Sequence, residues 1–216
     1  YNKALELSPN LRSAVFNLLY VSARLQDLNQ HSFAVNKIEQ NEGWLPLGYS
    51  AIGNSYLLLS QEEKANKYFD QLRKCKGWEN KVDYYISMFL FENANYELAL
   101  KHAKMAHELN PLDSSINFHF SRCLSVVGQK EAALEAVKKV RVGSNSLEPS
   151  SQPPWLSFYK FTLERDSGRH DEASETLLQI PVDYFEDEGD LEVALEFARD
   201  KKDLRLLRHL KAVSKK

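Results

Sequence analysis

Cysteine is scarce in this chain: two in 216 residues, Cys75 and Cys123, with no Cys-x-x-Cys. That excludes a disulfide-stapled scaffold and a thiolate zinc site. It leaves the compartment open between cytoplasm and periplasm, with the cytoplasm preferred. Eight glycines and seven prolines are too few for a collagen-like or low-complexity chain. No run of about 18 apolar residues occurs, so nothing in the sequence reads as a membrane span. Neither sign of charge dominates: 28 Lys and Arg stand against 30 Asp and Glu, a formal net charge of −2. Global attraction to nucleic acid or to an anionic bilayer therefore has no source, and no nucleic-acid partner is expected. Strand-like alternation is missing as well, which points to an all-α chain.

The signatures of catalysis are also missing. The sequence contains no G-x-x-x-x-G-K-[S/T], G-x-G-x-x-G, G-x-S-x-G or H-E-x-x-H, so neither an enzyme nor a cofactor is expected. Six histidines are scattered at positions 31, 102, 107, 119, 170 and 209. His102 and His107, the nearest pair, are five apart and fall on different faces of a helix, so no metal site is expected. Cys123 reads as a small buried hydrophobe.

What the chain does have is a hydrophobic fraction of 43% and an aromatic fraction of 11%, enough for a packed core. Residues 46–79 set the pattern. Tyr49, Ile52, Gly53 and Tyr56, then a polar turn at Ser60-Gln61, then Ala65 and Phe69, follow W-x2-L-G-x2-Y and A-x3-F with Tyr for Trp and Ile for Leu. On these residues the chain resembles the tetratricopeptide repeat (TPR) family. The resemblance implies an all-α, right-handed α-solenoid of TPR-like helix–turn–helix repeats with a C-terminal helical cap.

In register with that stretch, residues 1–11 read as the end of a truncated repeat. Full repeats are expected at 12–45, 46–79, 80–113, 114–147 and 154–187, with capping helices over 188–216. Small residues (Gly53, Ser87, Ser121) and an alanine (Ala65, Ala99, Ala133) recur where paired helices cross. A Ser- and Pro-rich loop at 143–154 interrupts the period. In the 154–187 repeat Lys160 and Glu164 stand at normally apolar places. The chain starts inside a repeat, so it reads as a fragment of a longer TPR protein. Its bare N-terminal face leaves homodimerisation through that end as an expectation.

In the TPR family the first helices line a concave groove that grips peptides. At 100° per residue, helix positions 4, 7, 8 and 11 pack, while 2, 5, 9 and 12, bordered by 6 and 13, face the groove. Carried over, those positions select Phe16, Asn17 and Tyr20, then Ser50 and Asn54. They continue with Lys81, Tyr84, Tyr85, Met88 and Phe91, then Phe118, His119 and Arg122, and finally Trp155, Phe158, Tyr159 and Arg165. Aromatics with a few polar and Arg side chains are a hot-spot composition. The family's clamp for chaperone C-terminal carboxylates is lacking: starting from the 46–79 repeat, Asn54 fits, but Ser50, Tyr85, Ser115 and His119 replace its Lys, Asn and two bases.

The expected function is a non-catalytic scaffold binding a protein or peptide. The alternative is the recognition or oligomerisation arm of a larger enzyme or assembly factor. A third reading uses the basic run Arg199 to Lys216, which follows the acidic run Asp183 to Glu192, as a surface for an anionic partner. A solvated cap whose positive end complements its helix C-terminus explains that run equally.

Overall fold

A computed structural model describes residues 1–8, 11–141, 153–185 and 188–211. The expected loop at 143–154, apart from Pro153 and Pro154, lies outside the described residues, as do Glu186, Asp187, Lys215 and Lys216. Among the described residues there are thirteen α-helices, two 3-10 turns and no strand. The chain divides into two compact units, Tyr1–Asn95 and Tyr96–Lys216. The first holds α1 (Asn2–Leu7), α2 (Arg12–Arg24), α3 (Leu28–Glu39), α4 (Leu47–Leu58), α5 (Glu62–Arg73) and α6 (Val82–Glu92). The second holds α7 (Tyr96–Leu109), α8 (Ser114–Val126), α9 (Lys130–Val137), α10 (Pro154–Asp166), α11 (His170–Leu178), α12 (Glu188–Asp200) and α13 (Leu204–Lys211). The two helices expected as the third repeat, α6 and α7, thus fall in different units.

One turn is used over and over. Gln26, Ser60, Ala94, Gly128, Gly168 and Lys202 all have positive φ, between 53° and 84°. The first four are 34 residues apart, Gly168 follows after 40, and Lys202 after another 34. At each, the next residue's N–H reaches back to a carbonyl five residues earlier, as in Asp27 to Ser22 and Gln61 to Tyr56, both 2.9 Å. The left-handed residue donates three back, as in Gln26 to Ala23 at 3.1 Å. This pair of bonds is the Schellman cap, which satisfies carbonyls that the helix end leaves open and reverses the chain. The expected C-terminal cap, α12 and α13, is therefore a further helix pair in register with the repeats.

Inside the pairs, the expected packing positions are buried: Val15, Leu18 and Leu19 on α2, Ile52 on α4, Ile86 and Leu90 on α6, and Leu124 on α8. At the crossing points Ala65 and Ala133 have no exposed surface. Small partners let the helices meet there. A Cβ on Gly53 would strike the Phe69 ring, and the Ser121 hydroxyl donates to the Ala133 carbonyl at 2.8 Å. In the second unit Phe161, Leu177, Phe185, Phe197 and Leu206 form one cluster spanning α10 to α13.

Buried polar groups in the first unit are mostly paired. His31, only 2% exposed, shares a 2.9 Å hydrogen bond with the Ser55 hydroxyl, which also bonds the Ile52 carbonyl at 2.7 Å. Burial, and then the Lys64 charge, hold the His31 pKa below the usual histidine value. A depressed folded pKa means that the unfolded chain takes up the proton first. The stability His31 contributes is therefore complete above about pH 6.5 and is lost as pH falls toward its folded pKa.

Two outcomes follow from the turn and the buried histidine. Ser60→Gly removes left-handed strain, and calorimetry should show a gain of about 0.5–1 kcal/mol; Gly128→Ala, which has open space around it, should lose about 1 kcal/mol. Urea unfolding of wild type between pH 7 and 5 should show falling stability, and His31→Gln should flatten that slope.

Candidate functional site

Helices α8 and α10 present an aromatic face in the second unit. Pro154 opens α10 at a first-turn position where its missing N–H costs no hydrogen bond. Trp155 follows and remains 43% exposed. Phe118, one pair earlier, meets Trp155 edge-on with ring centres 5.0 Å apart and meets Tyr159 edge-on at 5.3 Å. The Tyr159 hydroxyl lies 3.2 Å from the Ser121 hydroxyl, which ties this surface to the α8–α9 crossing. Burial raises the Tyr159 pKa, while hydrogen bonds from Ser121 and Ser125 and the Arg122 charge pull it back. Arg122 itself is exposed beside the rings' helix.

Two residues expected on this face are buried. His119 is 5% exposed, with Nε2 3.5 Å from the Cys123 sulfur one turn on. Phe158 is 8% exposed and packs on Phe161, Tyr184 and Phe185 at 5.5, 5.8 and 6.0 Å. Positions 5 and 6 border the packing stripe, and in α10 the segment after α11 closes over the fifth. Neither side chain offers surface to a partner.

In the first unit Phe16 lies edge-on to Trp44 at 6.0 Å, with the Arg12 guanidinium 5.4 Å above the Phe16 ring. Asn17 is exposed and Tyr20 half-buried. Tyr20 is 6.2 Å from Phe89. Burial raises the Tyr20 pKa, partly offset by its hydrogen bond with Asn54. Asn54 is only 9% exposed, and its Oδ1 has no hydrogen-bond partner. Lys81 is exposed, and Tyr84 and Met88 are half-buried. Tyr85 is 44% exposed and touches both Trp78 at 5.2 Å and Tyr84 at 5.5 Å.

Arg12, Trp44, Trp78 and Phe89 were not among the expected residues: Trp44 and Trp78 lie in connections, and Arg12 and Phe89 stand at first-helix positions 1 and 10, outside the groove set. Trp44 and Trp78 stand one repeat of 34 residues apart, so the period itself carried that signal.

The charged intrusion into the 154–187 repeat proves to be an ion pair. Lys160 Nζ lies 3.3 Å from Glu164 Oε1, and the Glu164 side chain is 6% exposed against 31% for Lys160. Glu164 Oε2, Ser167 Oγ and His170 Nδ1 are buried without partners. A nearby cavity of about 420 Å3 is lined by Arg165, His170, Val193, Glu196, Phe197, Asp200 and Lys201. Its wall mixes both charge signs and suits ordered water.

No protein-family profile and no curated protein sequence matches the chain. Solved structures do. The chain superposes on PilF of Pseudomonas aeruginosa with a TM-score of 0.52 at 15% identity, over 90% of this chain and 86% of that one. It superposes on an IFIT1 monomeric mutant with m7Gppp-AAAA at 0.50 and 15% identity, over 99% of this chain and 53% of that one. YrrB, described as a TPR protein with an unusual peptide-binding site, aligns over 98% and 97% at 18% identity, with a TM-score of 0.47 too low to argue from. The fold is all-α and of the TPR type.

For the Lys160–Glu164 pair, Lys160→Leu should cost about 2–3 kcal/mol in urea unfolding, because it strands a buried carboxylate. The double change Lys160→Leu/Glu164→Leu should recover that loss or exceed wild type.

Proposed function

We propose that this chain is a non-catalytic protein-interaction scaffold. It holds a protein or peptide partner against aromatic side chains that stay partly open at the edges of its cores. The observation that carries the reading is Trp155. It is 43% exposed yet in edge-on contact with Phe118, and Arg122, one turn on from Phe118 in α8, is exposed with its charge acting on Tyr159. A large ring braced by another ring loses little conformational freedom on binding and gains much from desolvation. Phe118, Tyr159, Arg122 and Trp155 form the contact surface of the second unit. Phe16, Asn17, Tyr20, Lys81, Tyr84, Tyr85 and Met88 supply the corresponding residues of the first, with the buried Asn54 holding Tyr20 by a hydrogen bond.

The test is affinity capture from host lysate, read by mass spectrometry, with the intact chain beside Trp155→Ala/Arg122→Ala of unchanged helicity. A partner captured by the intact chain should drop at least about tenfold with the variant, the loss expected for hot-spot residues. Equal capture by both would remove the α8–α10 face from the function.

A further inference from the structure

The connection between α5 and α6 combines exposed aromatic surface with one sign of charge. Residues 73–81 contain Arg73, Lys74, Lys76 and Lys81 against a single acid, Glu79. Arg73 is taken up by structure: it bonds Asp83 at 3.0 and 3.1 Å and Asp70 at 2.9 Å, pinning the end of α5 to the start of α6. The Glu79 carboxylate is turned onto the loop's own backbone, accepting from the Gly77 N–H at 2.8 Å. Lys74, Lys76 and Lys81 are exposed, and among the described residues none of the three has an ion-pair partner.

Successive tight turns keep this segment compact. Cys75 N–H donates to the Leu72 carbonyl at 2.9 Å, Trp78 to Cys75 at 3.1 Å and Lys81 to Trp78 at 3.0 Å. These bonds set Trp78 in the middle of the segment's turns, with its ring 5.2 Å from the 44%-exposed Tyr85. An apolar ring could lodge beside the Trp78–Tyr85 pair while acids flanking it meet three free ammonium groups. Nothing within the first unit answers that combination.

We propose that this loop is a docking site for an acidic linear peptide carrying an aromatic side chain. The lysines steer and select charge, and Trp78 with Tyr85 seats the aromatic residue. Ammonium groups on flexible stems suit several dispersed carboxylates, whereas a fixed guanidinium fork would suit one. The site shares Lys81 and Tyr85 with the first-unit surface proposed above, adds Lys74, Lys76 and Trp78, and does not depend on the α8–α10 face.

The probe is a fluorescein-labelled peptide, Asp-Glu-Asp-Phe-Glu-Asp-Glu, titrated with the full chain and followed by anisotropy. Three controls accompany it: the same peptide with Ala for Phe, one with Lys for every acid, and a labelled oligothymidylate of about 12 nucleotides. Binding of the acidic Phe peptide should weaken with added salt. It should fall about tenfold with Lys74→Glu/Lys76→Glu and about fivefold with either Tyr85→Ala or the Ala peptide. Lys201→Glu/Lys202→Glu and Trp155→Ala/Arg122→Ala should leave it unchanged, so this proposal and the preceding one fail separately. Each variant is checked for helicity, and all the changed side chains are exposed, so loss of fold is separable from loss of binding. Equal affinity of wild type and Lys74→Glu/Lys76→Glu overturns the site. Equal affinity for the Phe and Ala peptides overturns the aromatic seat, and tighter binding of the oligonucleotide than of the peptide overturns the choice of partner.

Discussion

Everything in this protein depends on how closely two helices of a pair can approach. The turn between them is short, and a single left-handed residue reverses the chain, so the first helix must lie directly on the second. Contact at that range admits only small groups at the crossing. Gly53 lies under the Phe69 ring, and Ser121 bonds the carbonyl of Ala133 across the gap. A larger residue at either place would separate the pair and open the core on both sides. Four of the six left-handed positions carry a side chain, Gln26, Ser60, Ala94 and Lys202. The strain they store is outweighed by the pair packing that the turn makes possible.

The same constraint decides what remains for function. Once one stripe of a first helix is committed to its pair, the flanking stripe packs only in part, as Phe118 and Tyr159 do at the edge of their core. In α8 and α10 that stripe holds Phe118, Tyr159 and Trp155 in edge-to-face contact, the first two half-buried and Trp155 exposed. Aromatic contact among them fixes their positions, so the surface is rigid without being buried. The Lys160–Glu164 pair follows from the same geometry: two packing positions that are apolar in the neighbouring helices are charged in α10, and they pair with each other one turn apart. Nothing in the structure explains why that helix keeps charge where Ile52 or Leu124 would serve.

How much could be read in advance differs between fold and site. The all-α repeat architecture was legible because its signal is redundant: glycine, alanine and aromatic residues recur every 34 positions, and each recurrence repeats the same packing problem. The buried packing face, Val15, Ile52, Leu90 and Leu124 among it, followed directly from helical periodicity. The site was legible only in part. Counting positions around a helix distinguishes inward from outward for that helix and its immediate partner. It does not reveal what arrives later in the chain, and so it offered Phe158 as surface when Tyr184 and Phe185 cover it. Nor did it set His119 apart from its neighbours, although a buried Cys123 one turn away draws that ring inward.

The sequence by itself determined the helices, their pairing and the residues at their crossings, because those rest on local contacts within one repeat. It also marked the turn at Ser60-Gln61, while the left-handed residues at Gln26 and Lys202 emerged only from the structure. Only the tertiary structure decided which outward-facing residues stay exposed, and that the charges at Lys160 and Glu164 neutralise each other. It alone showed that Trp78 in the α5–α6 connection meets Tyr85 while the lysines of that connection stay exposed. These are matters of long-range approach between segments, and no spacing along the chain encodes which surface a distant segment will cover.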